Sequence, residues 1–332
     1  MNVQQEFLKM ASGYWVSQSL YAAAKLKLAD LLAGGPRPAE ELAAATETDP
    51  PSLYRLLRAL SSVGVFAEED GRFKLTPLAE CLRSDRPGTQ WALAVMIGEE
   101  HFRTWGDILY SLRTGQPAFD HIYGKPPFEY LAEHPEAARV FDAAMTAVHG
   151  RETPAMLDAY DFSGYKTLVD VGGGNGSLLT AVLQRTPNLK GVLYDLPHVI
   201  ERARANLAAA GLDKRCTAVP GSFFESVPQG YDAYLMRHII HDWDDGKALT
   251  ILRNVREAIA PDGKLLLVEG VIPPGNEESW TKFLDLNMLL IPGGKERTEA
   301  EYRQLYADAG FRLTRIVPTT TEISVLEGEP VG

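Results

Sequence analysis

Apolar residues recur along this chain with two different periods. From Tyr14 to Leu32 they fall at helical spacing, and Gly34-Gly35-Pro36 ends the run. Pro38–Ala45 predicts a short second helix. A third begins at Asp49, an N-cap followed by prolines, and carries Leu53, Leu56, Leu57 and Leu60 on one face. Val63–Ala67 and Arg72–Leu75 then flank Glu68-Glu69-Asp70-Gly71, which reads as a β-hairpin with an acidic tip. Helices followed by a two-stranded wing predict a winged helix. Helical spacing returns over residues 90–160: Trp91–Ile97 is apolar, Phe102, Trp105, Ile108 and Leu109 form a stripe, and Pro126–Met156 reads as helix broken at Pro135.

From Tyr165 onward strands alternate with helices. Apolar runs at Thr167–Asp170, Gly191–Asp195, Cys216–Pro220, Ala233–Arg237 and Lys264–Glu269 read as strands, Lys247–Ile259 as a helix between them, and Phe311–Pro318 and Thr321–Leu326 as two terminal strands. The fold class this predicts is α/β, a mostly parallel sheet with an antiparallel addition. The expected organisation is a winged-helix domain over 1–100, a helical connector over 101–160 and the α/β domain over 161–332.

Composition narrows the function classes. With 45% hydrophobic and 23% charged residues, the 332-residue chain is ordinary globular protein, and its formal charge of −11 repels phosphate backbones and anionic membranes. Residues 1–85 hold nine Lys/Arg against eleven Asp/Glu, so the winged helix lacks the basic patch a DNA reader needs. Its apolar faces predict a homodimer instead, with no nucleic-acid and no membrane partner. Two cysteines, Cys81 and Cys216, make no disulfide framework. The first residues lack the basic and apolar regions of a signal peptide, and no apolar run reaches the ~20 residues of a membrane span. A soluble, cytoplasmic protein is expected.

The chemistry concentrates after two strands. Leu168–Ser177 ends a strand in Asp170 and then places glycines at 172, 174 and 176 before a helix. Such a turn brings backbone close to a ligand at a helix N-terminus. A dinucleotide fingerprint would put its third glycine at Ser177, so that pattern fails; D-x-G-x-G-x-G is the turn of S-adenosylmethionine (SAM) methyltransferases. Asp195, at the end of the next strand, is placed to take both ribose hydroxyls of an adenosine, or to cap the helix beginning at Leu196-Pro197-His198. After Ala233–Arg237 comes His238-Ile239-Ile240-His241-Asp242-Trp243-Asp244-Asp245. Either His238 or His241 could take the proton of a hydroxyl acceptor. Asp242 could cap the following helix, with Asp244 and Asp245 in its first turn.

Asp170–Gly176, Tyr194-Asp195-Leu196-Pro197, His241-Asp242-Trp243, Pro261-Asp262-Gly263-Lys264 and Pro292-Gly293-Gly294-Lys295-Glu296-Arg297-Thr298 occur in order. In these motifs and in domain plan the whole chain resembles the dimeric small-molecule O-methyltransferases of the plant caffeate, flavonoid and hydroxyindole type and their bacterial polyketide-tailoring relatives. The resemblance implies transfer of a methyl group from SAM, leaving S-adenosylhomocysteine, to a hydroxyl of an aromatic or enolic secondary metabolite, with no metal. It implies His241 as general base, flanked by Glu269 and Glu296. It puts Gly172 under the methionine part of SAM, Asp195 on the ribose, Leu196 and Phe223 beside the adenine, and Arg237 near the cofactor carboxylate, with Asp170 and Gly174 also binding the cofactor. Ser222 stands where the family carries an acid on the adenine amine, and His238 where plant members often have a tryptophan against substrate. The acceptor pocket is expected to draw on Phe119, Phe128, Phe141, Met145, His149, His238, Asp242, Trp243, Met288 and Ile291. Three other classes compete: a SAM-binding homologue that does not methylate, using SAM structurally or for decarboxylation or hydroxylation; a SAM-sensing DNA regulator; and a metal-assisted catechol enzyme on His238, His241 and Asp242.

Overall fold

The computed structural model describes residues 2–332, which divide into two compact units, one of residues 2–108 and 121–150 and the other of 109–120 and 151–332. In the first unit, Asn2 caps a helix Val3–Ala11 that lies ahead of the first helix expected, and Gly13–Lys25 follows it. Asp49 accepts the Ser52 amide at 3.0 Å and starts helix Pro50–Ser62. Leu53, Leu57 and Leu60 from that helix are buried with Leu28, Leu42, Phe66 and Phe73 in one core. Strands β1 (Phe66–Glu69) and β2 (Arg72–Leu75) pair antiparallel to form the wing. Their pairing reaches Glu69↔Arg72, so the turn is tighter than the four-residue tip expected, with Asp70 and Gly71 both at positive φ.

Helices Pro127–Glu133 and Pro135–Ala159 flank the break expected near Pro135, where the ring fits the first turn of the second helix. That second helix carries Pro154 in its interior and runs on without a stop.

The second unit is built on an eight-stranded sheet. Its strands are β3 (Thr167–Val171), β4 (Lys190–Asp195), β5 (Cys216–Pro220), β6 (Ala233–Arg237), β7 (Lys264–Ile272), β8 (Arg297–Thr298), β9 (Phe311–Pro318) and β10 (Ile323–Pro330). The order is β5-β4-β3-β6-β7-β10-β9, with β8 on β7; only the β10 pairings are antiparallel. β10 extends four residues past the expected end because Glu327 to Pro330 continue pairing with β9 through a register shift. Both faces are buried, one by a cluster containing Val169, Tyr234, Ile251 and Leu267, the other by Leu168, Leu179, Leu193 and Leu266, which is why the strands read as continuous apolar runs. β3 has β4 on one side and β6 on the other, so chain order reverses there. The crevice beyond the carboxyl ends of β3 and β6 is where such sheets take ligands, and both the glycine turn and the histidine segment leave the sheet at that point.

Candidate active site

The turn after β3 is held from β4. Asp195 Oδ2 accepts the Gly174 amide at 2.8 Å, and its Oδ1 accepts the Leu196 amide at 2.7 Å. Helix Pro197–Ala209 has Leu196 at its N-cap and no side-chain cap, so the acid braces the glycine turn rather than that helix. Gly172 is at φ 71°, and a Cβ there would meet the side chain of Ile239. Asp170 lies beneath the turn, 1% exposed, with Oδ2 lacking a hydrogen-bond partner among the described residues. Burial pushes its carboxyl up to about 7. Leu196 is exposed; Phe223 packs 4.9 Å ring to ring on Phe224, and Phe224 packs 4.9 Å from Trp243 in an edge-on contact. The Phe224 amide donates to Ser222 Oγ at 3.3 Å. Arg237 donates to Thr153 Oγ1 at 2.8 Å, its charge disfavoured by burial. An open glycine turn, a buried acid with one oxygen lacking a partner among the described residues and an aromatic shelf fit a nucleoside-bearing ligand.

The second part of the site is His241, in a short 3-10 turn Ile240–Asp242 after β6. Glu269 of β7 shapes that turn: its Oε1 accepts the amides of Ile239 and Ile240 at 3.2 and 2.9 Å. His241 Nδ1 lies 2.6 Å from Glu296 Oε1 and 3.6 Å from Glu269 Oε2. A carboxylate accepts, so Nδ1–H donates to Glu296 and the neutral ring keeps its lone pair on Nε2. Nε2 lies 3.6 Å from Asp242 Oδ1. Burial alone would lower the imidazole, but the charges of Glu269 and Glu296 outweigh it and hold it at about 10. Glu269 is itself raised by burial, against the pull of the histidines, so the group shares its protons.

Glu296 is brought to His241 by the Pro292–Thr298 segment. The Lys295 amide donates to the His241 carbonyl at 2.8 Å. At Gly294 a Cβ would strike the His241 carbonyl and the Asp242 backbone, so this close approach requires glycine. Glu296 is left to His241 because the neighbouring cations pair elsewhere: Lys295 with Glu301 at 2.7 Å and Arg297 with Asp245 at 2.8 Å. The expected capping acid is also displaced. Asp244, not Asp242, accepts the Lys247 amide and starts helix Asp245–Ala258, because Asp242 is taken up in the 3-10 turn.

His238 sits at φ 53°, a left-handed conformation uncommon outside glycine. Its Nε2 donates to Glu152, 3.0 and 2.9 Å from the two oxygens, a partner that sequence reasoning did not single out. Among the expected acceptor residues, Trp243, Met288, Ile291 and Phe119 belong to this unit, Phe119, Met288 and Ile291 being buried. Phe128, Phe141, Met145 and His149 belong to the other unit, where Phe128 and Phe141 meet edge-on at 6.4 Å.

Residues 105–312 match the O-methyltransferase domain, and residues 8–85 the O-methyltransferase dimerisation domain. The phenazine O-methyltransferase PhzM of Lysobacter antibioticus is 48% identical over 98% of this chain and 95% of its own. The crystal structure of LaPhzM, 47% identical, matches with a TM-score of 0.95 over 100% of both chains. Aclacinomycin 10-hydroxylase RdmB of Streptomyces purpurascens is 36% identical over 96% of this chain and 89% of its own. The chain belongs to the O-methyltransferase family, whose chemistry is SAM-dependent methyl transfer to small molecules. Among the described residues no helix is long and apolar enough to cross a membrane.

Proposed function

We propose that this enzyme methylates a hydroxyl on a planar, fused aromatic or enolic secondary metabolite, with His241 as general base. The observation that carries the reading is the 2.6 Å contact of His241 Nδ1 with Glu296, which leaves Nε2 as the lone-pair nitrogen. Similarity to a phenazine O-methyltransferase supports an acceptor of fused aromatic rings.

When bound, SAM supplies an electrophilic methyl carbon on a positively charged sulfur that departs as a neutral thioether. Gly172 and Gly174 admit it closely, Asp195 takes the ribose hydroxyls, Asp170 accepts from the amino-acid end, Arg237 faces its carboxylate, and Leu196, Ser222 and Phe223 border the adenine. His241 Nε2 takes the acceptor's proton as the new oxygen–carbon bond forms. A phenol has a pKa of about 10, so an imidazole held at about 10 receives its proton with little free-energy cost. A sulfonium charge bound beside His241 would oppose the imidazolium and favour the neutral base. Glu296 fixes the tautomer, and Glu269 holds the turn and adds its charge. His238, Asp242, Trp243, Met288 and Ile291 border the acceptor. Most of the rate comes from aligning oxygen, carbon and sulfur.

The working form in this reading is a cytoplasmic homodimer. Exposed Val3, Phe7, Leu8, Met10 and Trp15 on the first two helices support a second copy as their cover, and the unpaired Cys81 and Cys216 support a reducing compartment.

Mass spectrometry of hydroxylated phenazines, naphthoates and quinones incubated with enzyme and SAM tests the function. Gain of one methyl group, lost in His241→Ala while calorimetric SAM binding persists, is expected; full turnover in that variant would remove His241 as base. The second reading, a SAM-binding hydroxylase, is favoured by the relationship to RdmB, and would give no methyl gain but gain of one oxygen when dioxygen and a two-electron reductant are supplied, the second oxygen atom leaving as water.

A further inference from the structure

Arg297 is the largest fully buried side chain in the protein, with 0% exposure. A buried guanidinium is costly unless every donor is used, and here all its N–H groups have acceptors. Nε and Nη2 donate to Asp245 Oδ1 at 3.0 and 2.8 Å. Nη1 donates to the carbonyls of Ile240 and Lys295 at 3.2 and 3.0 Å. Nη2 also donates to the Trp243 carbonyl at 3.1 Å.

These acceptors come from two separate segments. Ile240, Trp243 and Asp245 bracket His241, while Lys295 precedes Glu296. One planar fork therefore spans the two strands of chain whose side chains meet at 2.6 Å. We propose that Arg297 is a positioning residue for the base, fixing the His241 turn against the Glu296 segment so that the imidazole and carboxylate stay in contact. The inference rests on the reading of His241 as base. Arg297 touches neither reacting group and acts through backbone carbonyls.

The groups facing His241 are Glu269 from β7, Glu296 from the segment before β8, and His238 and Asp242 from its own loop. Arg297 itself faces Asp245, with Tyr302 near it. Arg297→Lys leaves all of these charges in place, but a lysine cannot reproduce the five-donor fork. What changes is geometry. If the Glu296 contact loosens, one of the causes raising the imidazole weakens, and its proton is lost at lower pH.

The experiment is the pH dependence of kcat at saturating SAM for wild type and Arg297→Lys, with calorimetric SAM affinity and thermal midpoint alongside. The expected result is a kcat loss of about tenfold or more near neutral pH, an acid limb moved down by about one pH unit, and a SAM Kd within about twofold of wild type. An unmoved limb with only a lower thermal midpoint would make Arg297 a structural residue and overturn the proposal. Should Arg297→Lys fail to fold, Asp245→Ala removes the outer anchor. It is read at high salt, where the exposed carboxylate's own field is screened, and an unmoved limb there overturns the proposal as well. Wild-type turnover in His241→Ala would instead refute the base reading on which the inference stands.

Discussion

Asp195 and Gly174 are joined by a 2.8 Å hydrogen bond from the Gly174 amide, in the turn after β3, to the Asp195 carboxylate at the end of the neighbouring strand β4. The acid thus organises the backbone of the glycine turn and, in the proposed site, also meets the ribose. Its half-burial raises its pKa, a cost accepted for a carboxylate that must accept several donors.

Asp195→Ala is therefore expected to weaken SAM binding by about tenfold or more, on the order of 1.4 kcal/mol. Asp195→Asn, which keeps one acceptor oxygen, should fall between. Isothermal calorimetry giving wild-type affinity for the alanine variant would contradict the ribose assignment.

The acid limb of activity should lie above the ordinary histidine value, between about 6.5 and about 10. A raised pKa means that the imidazole keeps its proton to higher pH, and activity rises as that proton leaves. Glu296→Gln removes one of the charges that raise it, so the limb moves to lower pH while kcat falls through loss of orientation. A pH–rate profile whose limb stays put, or moves up, would separate Glu296 from the base.

Gly294 admits the Lys295 amide to the His241 carbonyl, where a methyl group would meet backbone that cannot yield. Gly294→Ala should cost about 1–3 kcal/mol of stability and most of the activity. A variant with unchanged thermal midpoint and turnover would show that the segment has room to move.

In the proposed site Ser222 would offer the adenine a neutral hydroxyl, one already engaged with the Phe224 amide. Ser222→Asp supplies a charged acceptor, and such hydrogen bonds are stronger. SAM affinity is expected to rise by about fivefold, roughly 1 kcal/mol. Equal or weaker binding by calorimetry would mean that the adenine amine is not recognised at this position.

Local signals carried much of the architecture. Asp49 with the prolines after it starts its helix as its side chain requires, and the alternation of glycines after Asp170 marks a turn that few other residues can make. Helix Val3–Ala11, outside the expected elements, was legible as well: Val3, Phe7 and Met10 keep helical spacing and Asn2 supplies a capping box, although none of its side chains is buried. Asp242 and Asp244 are equally good caps by residue type. The 3-10 turn imposed by Glu269 on Ile239 and Ile240 decided between them.

The sequence by itself determined seven of the sheet's eight strands, the glycine turn after β3 and the presence of a histidine beyond β6, since each depends on neighbours a few residues away; the two-residue β8 exists only through its pairing with β7. Sequence alone did not determine which carboxylates meet that histidine. His241 and Glu296 are 55 positions apart, and resemblance, not spacing, paired them. Nor did it reveal Glu152 beside His238, or Arg297 drawing three carbonyls and Asp245 together. Those contacts exist because β7, β8 and the segments after β6 are packed together, and hydrogen-bond partners of a buried charge are set by which backbone groups that packing leaves within reach.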